Sequence, residues 1–270
     1  MRASVKGVLA MAAAAVTVAA GAAGCSSSDG GGEGSGPGAG RANGPVVEQD
    51  GTAHPAQLVK LNNAQHVKVP GVADAAAAKK IDDAFHAPID WAVKWAGATL
   101  LKEQRAECGN RSNVISVGVR IGLRGDIVSA ASAIRMVPCY EGEGSLPTVP
   151  VTADVKAGKV LAPEDVLTAG ALRGKGLKTL FDRLSGPKDD WKDCELELRR
   201  ADLYPGKRDG DPIESPAPAG LLFTQQGLEL IWSTTGTDCN NFTFTAPYDK
   251  VKDLIKPDLY PRLVAAAGAK

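Results

Sequence analysis

The sequence predicts an α+β fold, an antiparallel sheet packed against helices and pinned by two disulfides. Three observations predict it. Apolar residues alternate with small or polar ones in the middle of the chain and again toward its end, which marks strands. Apolar residues recur at spacings of 3 to 4 before and between those stretches, which marks helices. The chain has 5 cysteines, and an even number remains once Cys25 is set aside. Strands and helices that come in runs rather than in strict alternation argue for α+β order over a parallel α/β sheet.

In chain order, residues 1–24 stand apart from the fold. Arg2 and Lys6 precede a nearly unbroken Ala/Val/Gly run from Gly7, the pattern of an export signal. The run is marginal in length and weakly hydrophobic for a bilayer span of about 20 residues. Its end, Ala22-Ala23-Gly24-Cys25, resembles the lipobox of bacterial lipoproteins, with Ala22 where leucine is usual. That resemblance implies a diacylglycerol on Cys25, which becomes the first mature residue. Residues 26–44 hold 8 glycines in 19 and no large apolar side chain, too little to offset the entropy of ordering. Residues 25–44 are therefore expected to be a lipidated cysteine and a flexible tether reaching about 25 Å. Residues 45–270 are expected to form a single extracytoplasmic domain.

Within that domain, Asp74 to Glu103 reads as a helix with Ile81, Phe85, Ile89, Ala92 and Ala96 on one stripe, kinked or restarted at Pro88. Trp91 and Trp95 flank the stripe and are the candidate ligand-binding residues, because two indoles one turn apart can present a stacking surface for sugar rings; partial core packing is the alternative, and the favoured one, since large aromatics dominate small cores. Asn113 to Leu123 and Ile127 to Val137 alternate and form a hairpin around Arg124-Gly125-Asp126. Folding it there brings Cys108 to Cys139 at its open end, so these pair and Cys194 pairs with Cys239. Thr148 to Val155 is a third strand, and Pro150 suits it to a sheet edge. Ala162 to Leu184 reads as mainly helical. Pro187 to Arg200 reads as a further helix with acidic residues near its start. The C-terminal part reads as Leu221 to Thr224, a turn, Leu228 to Ser233, Asn241 to Thr245 and a short closing helix, Tyr248 to Ile255. This order implies a sheet covered on one face. Asp209 to Gly220 is a Pro-rich loop.

Three segments, TVPVTADVKAGKVLAPEDVL (Thr148 to Leu167), LLFTQQGLELIW (Leu221 to Trp232) and FTFTAPYDKV (Phe242 to Val251), together resemble the RsiV-like domain of secreted bacterial proteins. The resemblance spans roughly Val67 to Leu254. It implies a binding or sensing domain without an agreed catalytic site; in anti-sigma factors of the RsiV type the domain captures lysozyme outside the cell. Cys139 to Gly144 and Ser233 to Asn240 depart from the family's pattern, so a ligand surface built on those loops does not carry over.

The chemistry-bearing residues are few. His54, His66 and His86 show no metal-ligand spacing, and no CxxC or Gly-x-Ser-x-Gly is present. Gly170 to Gly176 lacks the order of a phosphate loop and reads as a helix interruption. Glu141 and Glu143 are a carboxylate pair available to a glycosidase reading, although their flanking glycines favour solvated loop charges. With 31 basic and 31 acidic residues there is no field to concentrate a polyanion, and nucleic acid is not an expected partner. No cofactor or metal is expected. The expected protein is a non-enzymatic binding or sensing lipoprotein on the outer face of the cell membrane, held there through Cys25. Its expected partner is a cell-wall-active protein or another envelope component. The alternative is an envelope polysaccharide enzyme using loop carboxylates.

Overall fold

A computed structural model of the chain describes residues 44–142, 145–208, 210–236 and 238–268. The expected signal peptide, Cys25 and all of the tether before residue 44 lie outside the described residues, as does Glu143.

The described chain runs β1 (Val46–Asp50), β2 (Ala53–His54), β3 (Val59–Lys68), α1 (Ala75–Thr99), α2 (Lys102–Cys108), β4 (Asn113–Arg124), β5 (Ile127–Val137), β6 (Ser145–Asp154) and β7 (Lys159–Val160). It continues with α3 (Pro163–Val166), α4 (Gly174–Arg183), α5 (Lys188–Asp193), β8 (Ala219–Phe223), β9 (Leu228–Trp232), β10 (Phe242–Ala246), α6 (Tyr248–Val251) and α7 (Tyr260–Gly268). The first sheet has the order β1-β3-β4-β5-β6-β7, with β2 also against β3. All its pairs are antiparallel except β3 with β4, which the long crossover through α1 and α2 makes parallel. The second sheet, β10-β9-β8, is antiparallel throughout.

The helix α1 starts where the sequence indicates, because the Asp74 carboxylate accepts a hydrogen bond from the Ala77 N–H at 2.7 Å. Its buried stripe is the expected one, Ile81, Phe85, Ile89, Ala92 and Ala96, and it lies across one face of the first sheet. The helix passes through Pro88 without a restart and ends at Thr99, with α2 a separate short helix. The helix expected over Pro187 to Arg200 is shorter, covering α5 and then a 3-10 turn at Arg200–Leu203. The closing segment is α6 followed by a 3-10 turn.

The first sheet is covered on both faces, not one. Ile231 and Leu222 of the second sheet pack on Ala131 of the opposite face. Glycine permits the approach: a Cβ on Gly122 would lie 2.2 Å from the Phe223 carbonyl oxygen. A register shift between Ile121 and Leu123 also turns Leu123 away from Val119 and Ile121, so it joins the core formed by the second sheet and the C-terminal helices. That core includes Leu177, Leu180, Phe244 and Leu263 and has Trp191 at its centre, 5.0 Å from Trp232 and 5.1 Å from Phe181 between ring centroids. The layers are therefore α1, first sheet, second sheet and helices. The expected α+β class and both expected disulfides are present, with Cα separations of 5.0 Å for Cys108–Cys139 and 5.6 Å for Cys194–Cys239.

Candidate functional site

An apolar concavity lies at the β6 edge of the first sheet, apart from a more voluminous depression of about 760 Å³ beside α7 that Asp249, Lys252 and Asp253 line in part. Among the described residues the sheet continues beyond β6 only as β7, which pairs with Ala153 and Asp154 and reaches Thr152 through the Leu161 N–H, so Val149 to Val151 lie beyond that pairing and line the cleft. There α1, β6, β8 and the Pro-rich loop enclose a cleft of about 440 Å³, within the roughly 300–1,000 Å³ of small-ligand sites. Ala84, Ala87, Pro88 and Trp91 supply the helical wall. These recur at spacings of 3, 1 and 3, a second stripe beside the core stripe of α1.

Trp91 is half-buried, and its Nε1–H donates to the carbonyl oxygen of Glu214 at 3.0 Å, a contact across 123 residues that fastens the loop to α1. A two-residue bridge between Gly206 and Ser215 closes the base of the loop, and Arg208 donates to the Pro216 carbonyl oxygen. Trp95 does not line the cleft. It packs beside Trp91, with 6.0 Å between ring centroids, against the core under α1.

The polar side chains of the wall are nearly all engaged. Thr152 and Ser129 hydroxyls share a hydrogen bond at 2.7 Å, and the Ser215 hydroxyl donates to Asp211 at 2.7 Å. With the Trp91 N–H also used, the exposed Glu214 carboxylate is the one ionisable group of the lining. The cleft is therefore a surface for apolar contact and holds no facing acid and base.

A second cluster was not apparent in the sequence. His66 of β3 and His86 of α1 meet edge to face with 4.9 Å between ring centroids. Glu48 approaches His66 at 3.6 Å, Asp50 approaches His86 at 3.6 Å, and Asp90 approaches His86 at 3.2 Å. Nδ1 of His66 is buried with no hydrogen-bond partner. Burial, and then the adjacent His86, hold the His66 imidazole below its ordinary protonation range, against the opposing pull of Glu48 and Asp50. Among the described residues no group of three or more His, Cys, Asp or Glu is arranged to hold a metal ion.

The remaining sequence candidates have plain surroundings. Glu141 is exposed, and its N–H donates to the Glu107 carboxylate at 2.6 Å. Gly170 to Gly176 forms the turn into α4, where a Cβ on Gly176 would lie 2.1 Å from the Gly170 carbonyl oxygen. A mixed cleft of about 390 Å³ between the two sheets is bordered by Gln65, Gly118, Arg120 and Ile231, with Arg120 held by Glu229 in a two-point ion pair.

No family model matches the chain, and no curated protein matches it. Six solved chains do. One is a member of the DUF3298 family from Bacteroides fragilis, with 12% identity over 78% of this chain and 88% of that one and a TM-score of 0.44. Another is a DUF3298 family protein from Pseudomonas aeruginosa, with 17% identity over 80% of this chain and 93% of that one and a TM-score of 0.42. That family is a domain of unknown function.

Proposed function

We propose that the protein is a non-enzymatic binding or sensing module of the cell envelope, carrying an RsiV-like domain. On this reading Cys25 is lipidated, and residues 25–44 tether the domain to the outer face of the membrane. The observation that carries the binding reading is the apolar cleft between α1, β6, β8 and the loop that Trp91 fastens. Its lining offers a ligand surface contact and no convergent acid and base. Two disulfides support an oxidising compartment, since cytosolic thiols are kept reduced. The segments carrying the RsiV-like resemblance supply β6, β8 and β9, and two of these strands border the cleft.

Two experiments test this. Cys25→Ala releases the protein from membranes into the medium; retention in the membrane fraction refutes the lipid anchor. Envelope extract passed over the immobilised protein and over Ala87→Phe, which fills the cleft from an exposed position, identifies what the cleft holds. The binding reading expects a component retained by the parent and lost from the variant. Equal recovery on both removes the cleft from the function, and turnover of a wall polymer by the parent favours the enzyme.

A further inference from the structure

We propose that the cleft takes a single acyl chain of a lipid. The inference rests on the cleft being the binding site and adds the class of ligand. Three properties of the wall select it.

First, charge: apart from Glu214 at the rim the lining is Ala, Pro, Val, Leu, Phe, Gly, Ser, Thr and the indole of Trp91, so the complementary ligand body is uncharged. Second, side-chain hydrogen bonds: the Trp91 N–H and the Thr152 and Ser215 hydroxyls already have partners within the fold. A sugar entering here brings several hydroxyls to a wall whose few polar side chains are already partnered, and each polar group buried without a partner costs about 1–3 kcal/mol. An acyl chain brings none. Third, the strand edge: an extended peptide would have to pair along β6, and that edge is blocked. The Thr152 carbonyl accepts from Leu161 N–H at 2.8 Å, which sets the outward-pointing positions as Thr148, Pro150 and Thr152. Pro150 has no N–H to give, and the Thr148 N–H is taken by the Ser233 hydroxyl at 2.8 Å. The ladder needed for strand addition is therefore interrupted at each position. What remains is an apolar slot of about 440 Å³ whose roof the Trp91 indole fastens to α1.

The test uses the full chain carrying Cys25→Ala, so that no acyl group of its own competes, and the fluorescent polyene fatty acid cis-parinaric acid as probe. Saturable binding of one probe per chain, displaced by palmitate and weakened at least tenfold by Ala87→Phe but not by Lys94→Phe on the exposed face of α1, is expected. Ala217→Phe, which fills the slot from the loop side, repeats the loss should Ala87→Phe disturb the helix; circular dichroism shows which variants keep the fold. Probe supplied as an ester in phosphatidylglycerol vesicles distinguishes a chain drawn from a bilayer from a free fatty acid, and uptake from either source supports the proposal. Absent or non-saturable binding, or binding untouched by both filling variants, overturns it. If the probe fails while Ala87→Phe still abolishes capture of an envelope component, the acyl class is wrong and the cleft remains the site. If both fail, the cleft reading falls as well.

Discussion

His66 and His86 lie 20 positions apart in the sequence, and nothing in either one's local pattern announces that they touch. Their contact exists because β3 runs beneath α1, and β3 itself is hard to read: its Asn62-Asn63 and Gln65-His66 pairs break the alternation of Val59, Leu61, Ala64 and Val67. Once paired, the rings have a thermodynamic consequence. The folded state holds the His66 imidazole below the 6.5 of an unperturbed histidine, whereas the unfolded chain protonates it near that value. The unfolded state therefore binds more protons on the acid side, so stability from this site is complete above about pH 6.5 and declines as pH falls toward the lowered folded value. Urea midpoints measured between pH 8 and pH 5 should show this decline, and His66→Gln should flatten it. The perturbed carboxylates Asp50 and Asp154 are lowered from 3.8 and lose their contribution only in more acidic solution, which separates their effect from that of His66. An unchanged slope in His66→Gln would show that the burial of this ring carries no proton linkage. Trp91 is the opposite case at this scale. Its helical spacing marked it as exposed enough for a ligand, and the structure places it in the cleft wall, while Trp95, marked by the same reasoning, is a packing residue.

The elements were legible where their signal is periodic and their partners are near in sequence. The β4–β5 hairpin, its turn and the β8–β9 pair follow their alternation closely, and Pro150 lies on a sheet edge as a missing N–H requires. What alternation could not show is that both faces of a strand are covered. On β4 the second face reads Ser116, Gly118, Arg120 and Gly122, which by composition is a solvent face; Gly122 is instead the point where β8 comes closest. Small residues leave no hydrophobic signature, yet they admit another backbone. This contrast is measurable. Gly122→Ala places a methyl group 2.2 Å from the Phe223 carbonyl oxygen, while a Cβ on Gly118 meets nothing within 4 Å. Gly122→Ala should cost about 1–3 kcal/mol of unfolding free energy by overpacking, and Gly118→Ala should stay within about 0.5 kcal/mol. Equal effects in denaturant titrations would mean that the sheets are not in register at Gly122. The helix α7 was missed for a related reason, since a short Ala-rich end carries little pattern. It is held by the burial of Leu263 and Ala266 and by a charge: Arg262 makes two hydrogen bonds, at 2.5 and 2.6 Å, to Asp154 on β6. That carboxylate is 6% exposed, so Arg262→Met should cost about 3 kcal/mol by leaving a buried charge with only backbone N–H donors such as that of Ala157, read as a lowered urea midpoint at neutral pH.

Across the whole molecule, the two disulfides divide the chain into the parts that the layers then stack. Cys108–Cys139 encloses the β4–β5 hairpin at the centre of the first sheet, with a separation of 31 residues. Cys194–Cys239 encloses the cleft loop, β8 and β9, with a separation of 45 residues. Each closes a loop long enough to contribute about 2–4 kcal/mol by restricting the unfolded chain. Their surroundings differ. Cys108 and Cys139 are buried to 1% and 4% exposure, whereas Cys239 lies at the surface. A thiolate must reach a sulfur atom to attack it, so access sets the order of reduction in the native state. Mild dithiothreitol treatment followed by alkylation and peptide mapping should therefore label Cys194 and Cys239 first, with Cys108 and Cys139 labelled only as the protein unfolds. The selectively reduced protein should lose about 2–4 kcal/mol of stability while keeping its first sheet and α1, because the hairpin and the helix that covers it are held by the other bridge and by their own core. The roof of the cleft belongs to the segment set free. On the proposed binding reading, reduction of the outer bridge should then speed exchange of a bound ligand without dismantling the floor of the cleft on β6. Simultaneous labelling of all four cysteines would instead mean that the layers open together as one cooperative unit, with no part of the cleft able to move alone.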